Sequence, residues 1–180
     1  MLTKTQRSLL VLLNSFLGAI IAPLNLVGAM VLMRMFYIGT PRFVPPNLTG
    51  AASHLFSKQS LIFVVLPCFL STFVLAPILI LLLEKEARKP LSQAIKKSAL
   101  YGIGFGIVAT FVTCVIALLL QGLKEPASSM AMFILKLFGL ALFGVFGAVA
   151  FVFWCFPFIL VSGPLFAIFN LLLVRFLDRR

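Results

Sequence analysis

ALYGIGFGIVATFVTCVIALLL, residues 99–120, contains neither an acid nor a base. A helix of this length crosses the roughly 30 Å hydrocarbon core of a bilayer, and in lipid every backbone amide must be satisfied within the segment, so the stretch reads as a transmembrane helix. Its Gly102, Gly104 and Gly106, with Glu125 further on, superficially resemble a dinucleotide fingerprint. No strand precedes them and the spacing is wrong. The physical reading is a small-x-x-x-small face, Gly102 to Gly106, that lets another helix backbone approach closely.

Working outward toward the N-terminus, Pro90 fits a helix start and residues 84–98 carry Lys85, Arg88, Lys89, Lys96 and Lys97. Before them lies the apolar run 61–83, in which Pro67 and Pro77 predict kinks. Residues 34–60 form a loop rich in turn formers, and Thr49 is placed to cap a short interfacial helix over 51–59. The run 9–33 follows a short basic start. It is too long for a signal peptide and ends in no A-x-A-like site, so it reads as a retained first span.

Toward the C-terminus, residues 121–129 make a short connection. The run 127–177 is interrupted only by Lys136 and Arg175, and its turn signals are Phe156-Pro157-Phe158 and Ser162-Gly163-Pro164. The expectation is a fourth span over about 130–152, then a broken or interfacial membrane-associated helix over 156–177. The fold class is therefore all-α: one membrane-embedded domain over 1–180, a polytopic bundle of four spans, about 9–33, 61–83, 99–120 and 130–152.

Composition agrees. Hydrophobic residues make up 62% of the chain and charged ones 11%, with 20 Phe and a mean hydropathy of +1.19, against roughly 25% charged in soluble domains. The net charge of +11 comes from 15 Lys and Arg against four acids. Because the basic residues flank apolar runs, they point to anionic headgroups of the bilayer rather than to nucleic acid. With four spans, ten basic residues fall on the side of both termini and five on the other. That bias predicts cytoplasmic N- and C-termini in a bacterial inner membrane.

No Asp, Glu or His lies inside the four runs; the acids and His54 all lie between or after them. Charges in a bilayer core mark proton, ion and substrate paths, so their absence argues against most intramembrane chemistry. Ser53-His54 pairs a nucleophile with a base but has no acid nearby to orient the imidazole. Cys68 and Cys114 fall at equal depth if the second and third spans form a hairpin, whereas Cys155 is expected elsewhere. Without C-x-x-C, the cysteines read as small hydrophobes rather than a thiolate metal site. The chain is expected to be no enzyme, with no catalytic residue, cofactor or metal.

What remains are packing faces and polar side chains. Gly18 with Ala22, Gly102 with Gly106, and Gly144 with Ala148 are the small-residue pairs for packing or a partner. Asn14, Asn25, Thr110 and Thr113, helped by Ser71 and Thr72, are the intramembrane polar groups, either interhelical bonds or the lining of a path for a neutral or anionic solute. Tyr37, Arg42, His54 and Lys58 represent the outer loop, whose Asn47-Leu48-Thr49 sequon is uninformative about host. The layout of four spans, cytoplasmic ends, basic middle loop and basic tail is similar to that of the immunity proteins that protect bacteria from A-type pore-forming colicins. The likeness covers the topology and no motif. It implies non-catalytic binding to another membrane protein through helix faces and the 34–60 loop. A small transporter or channel subunit, working as a homo-oligomer or with a partner, is the alternative reading. A lipid-acting membrane enzyme ranks last.

Overall fold

The computed structural model describes residues 2–36, 61–124 and 130–178. They form four helices: α1, Lys4–Phe36; α2, Leu66–Ala87; α3, Leu91–Lys124; and α4, Met130–Asp178, with a π-helical turn, Leu61–Val65, leading into α2. All four are long and apolar enough to cross a membrane, the qualifying stretches being Lys4–Ala29, Leu66–Ala87, Leu91–Leu120 and Gly144–Asp178. The chain is an all-helical integral membrane protein. Each helix packs on its sequence neighbours, α4 closes the ring onto α1, and α2 touches α4 across the bundle.

Local chemistry explains the helix starts. Thr3 Oγ1 accepts from the Gln6 backbone N–H at 3.2 Å, and Gln6 Oε1 accepts from the Thr3 N–H at 2.9 Å. This is a capping box, which satisfies two amides that begin α1 without partners. Pro67 cannot donate to the carbonyl four residues back, and the π-helical turn before α2 falls where that bond is lost. Pro77 lies inside α2, which runs through it uninterrupted. At the start of α3, the Pro90 carbonyl accepts from Ala94 at 3.0 Å.

The main correction concerns the C-terminal third. The expected division into a span over 130–152 and a separate segment over 156–177 is absent, because α4 is one helix of 49 residues with Pro157 and Pro164 inside it. In lipid no water competes for the backbone, so a proline costs a bond without ending the helix. Moreover, the segment expected to be peripheral is central. Ile159, Ala167, Asn170, Leu171 and Val174 are fully buried, while Met130, Leu135 and Phe138 are at least two-thirds exposed. The short interfacial helix, with Tyr37, Arg42, His54 and Lys58, lies outside the described residues, as does Glu125.

Candidate functional site: an uncharged cavity between the helices

The two ends of the bundle are built differently. At the end where the chain starts and α4 finishes, Arg7 donates to both oxygens of Glu84, at 2.7 and 2.8 Å. Lys89 Nζ bonds Glu86 at 2.7 Å, Tyr101 donates to the same carboxylate oxygen, and Arg175 donates to the Lys89 carbonyl. The Glu86 carboxylate raises the Lys89 ammonium above the ordinary lysine pKa, so Lys89 stays charged through neutral pH. Just inward, Leu10, Leu79, Ile80, Leu83, Ala94, Leu171 and Val174 form the principal core. Glu84 and Glu86 thus each hold an ion pair at this end of the bundle.

Toward the other end, small residues become frequent beside Leu26, Val64, Leu118 and Phe151, and a cavity of about 320 Å³ opens among all four helices. Ala22 and Asn25 come from α1, Cys68 from α2, Thr110, Thr113, Cys114 and Ala117 from α3, and Gly147, Ala148 and Cys155 from α4. Among the described residues, no Asp, Glu, Lys, Arg or His lines it. A smaller space of about 50 Å³ adjoins it, sharing Ala22, Asn25, Thr110 and Thr113, and reaching Gly18, Thr72 and Phe166. Asn25 Nδ2 donates to Ser162 Oγ at 2.9 Å, and the Ser71 and Thr113 hydroxyls bond at 2.6 Å. These pairings satisfy part of each group and leave further capacity for a guest, since an amide and a hydroxyl each carry several bonding sites.

Three of the four polar residues singled out from sequence therefore converge here: Asn25, Thr110 and Thr113. Asn14 does not line the cavity; it is completely buried, with neither amide atom bonded. Cys155, expected apart from Cys68 and Cys114, lines the same cavity. Its position depended on which part of α4 enters the bundle. The three thiols are free, and among the described residues no cluster of His, Cys, Asp and Glu could hold a metal ion.

The small residues are mostly used within the chain. A Cβ on Gly18 would collide with Thr72, one on Gly106 would lie 2.7 Å from Ile159 Cγ2, and one on Gly102 would strike the Gly163 carbonyl. Gly102 and Gly163 are thus a backbone-to-backbone contact between α3 and α4. Gly163, inside one of the turn signals, was missed as its partner because that signal pointed to a break. Gly144 has Leu118 at 3.4 Å, Ala22 and Ala148 line the cavity, and Gly104 faces open space.

No family model, curated protein or solved structure matches this chain. The reading of the cavity rests on its own chemistry.

Proposed function

We propose that this chain is a non-catalytic protein of a bacterial inner membrane, both termini cytoplasmic, that serves as a small carrier or channel subunit for an uncharged solute. The observation that carries the reading is the cavity of about 320 Å³, whose wall among the described residues is apolar, from Ala, Gly and Cys to Leu26, Val64, Leu118 and Phe151, with Asn25, Thr110 and Thr113 to orient a guest. A concave, mostly apolar site with a few convergent polar groups is the ordinary form of a small-molecule pocket. No basic side chain lines the cavity among the described residues, which favours a neutral over an anionic solute. The ion-paired state of Glu84 and Glu86, away from the cavity, supports a non-catalytic role.

The test is solute flux in liposomes containing the purified protein alone, using uncharged probes from urea and glycerol to hexanamide. Flux above protein-free liposomes, lowered at least tenfold by Asn25→Leu, is expected. No flux for any probe removes the conduit.

A second reading, binding to another membrane protein in the manner of the bacteriocin immunity proteins, draws on the far end of α4. The contacts of Gly102 with Gly163 and Gly144 with Leu118 set the two helices antiparallel, so α4 overshoots the end of α3 by about two turns, or roughly 12 Å. The overshoot exposes Met130, Ile134, Leu135 and Phe138. Photocrosslinkers at Leu135 and Phe138 in native membranes should then capture one protein reproducibly; labelling of lipid alone refutes this reading.

A further inference from the structure

One turn inward from the smaller space, three helices each bring an unsatisfied polar side chain to the same layer. Leu10, Ala94 and Val174 belong to one packed core. A step of four residues along each helix keeps the same face and moves one turn toward the cavity, to Asn14, Ser98 and Asn170. All three are 0% exposed. Both amide atoms of Asn14, the hydroxyl of Ser98 and the side-chain oxygen of Asn170 have no hydrogen-bond partner, while Asn170 Nδ2 donates to the Phe166 carbonyl at 2.9 Å. A further step of four residues reaches Gly18 and Phe166, which line the smaller space, and Gly102, which meets Gly163.

An unpaired amide in an apolar interior costs several kcal/mol. One such group is a local packing cost, but four unpaired atoms on three helices, at one level and next to a cavity, call for a shared partner. Their chemistry defines it. Asn14 offers a donor and an acceptor, Ser98 either, and Asn170 an acceptor, with no charge among them. We propose that Asn14, Ser98 and Asn170 form a closed polar floor one turn below the smaller space, and bind there an uncharged group that both donates and accepts hydrogen bonds. That group is water or the amide or hydroxyl end of a neutral amphiphile whose apolar part fills the space above. The inference deepens the conduit reading and rests on it for the guest, though not for the floor's access to water.

The test uses the full chain in liposomes, with Cys68, Cys114 and Cys155 changed to Ala and one thiol introduced at a time. Ser98→Cys should react with a small neutral thiosulfonate at least tenfold faster than Ala76→Cys, a fully buried position on α2, with exposed Ser92→Cys as the positive control. Equal inertness of Ser98→Cys and Ala76→Cys overturns the floor even if solute flux is observed. Absence of flux with a reactive Ser98→Cys removes the conduit and leaves the floor standing. Hexanamide should slow the Ser98→Cys reaction if an amphiphile binds; an unchanged rate assigns the site to water. Asn14→Ser with Asn170→Ser, both volume-reducing, should alter urea flux at least fivefold in protein whose helix content by circular dichroism is unchanged, and unchanged flux in a conducting protein also overturns the proposal.

Discussion

The charged half of the bundle and the cavity half use the same four helices, yet one is filled and the other hollow. Near the ion pairs, Leu79, Ile80, Leu83, Leu171 and Val174 fill the interior; around the cavity, Ala22, Ala117, Gly147 and Ala148 sit among the larger Leu26, Val64, Leu118 and Phe151 and leave space between them. Both halves are apolar, so hydrophobicity does not distinguish them. Side-chain volume does. In lipid, helix association depends on packing and hydrogen bonds rather than on escape from water, so a bundle can keep an open half only where the other half and a few close contacts hold the helices in register.

The sharpest way to break that arrangement is at the close contact itself. Gly102→Leu should cost about 3 kcal/mol or more, because Gly163 is backbone and cannot yield. Denaturant unfolding in mixed micelles measures it, with Gly104→Leu, a change facing open space two residues away, expected to be near neutral. Slightly smaller effects separate the two halves. Leu83→Ala, in the filled core, should cost about 3 kcal/mol, and Leu118→Ala, at the cavity wall, about 1 kcal/mol. Equal losses would show the halves to be packed alike. Glu84→Gln, which leaves the half-buried Arg7 guanidinium without a counter-charge, should cost about 2 kcal/mol, and Arg7→Met with Glu84→Leu should restore most of it. At the small end, Gly147→Ala, where a methyl meets nothing within 4 Å, should stabilise the protein by about 0.5 kcal/mol by restricting the unfolded chain. A loss there would mean that the hollow half is tighter than its geometry implies.

The acid-free runs made the number of spans and their helical type legible, because a bilayer permits few alternatives. The cap at Thr3 and Gln6 was legible too, as an S/T-x-x-E/Q spacing, but the polar start of α1 was read for its charges alone. The length of α4 was not legible. Pro157 and Pro164 stop helices where water can take the released carbonyls, and the same letters carry no stop where it cannot. That misreading displaced the embedded part of α4 toward its N-terminus, and it hid both the Gly102–Gly163 contact and the place of Cys155. Asn25, Thr110 and Thr113 were recognisable as costly groups within spans, but that they share a cavity with one another depends on helix rotation, which hydropathy does not encode.

The continuity of α4 has a mechanical consequence. A continuous helix held at Gly163 has a long arm of roughly 50 Å to Met130 and a short one of roughly 18 Å to Arg175, measured along its axis. A sideways displacement of the outer tip would therefore reach the Arg175–Lys89 bond reversed in direction and reduced to about a third, turning the helix into a lever between opposite faces of the membrane.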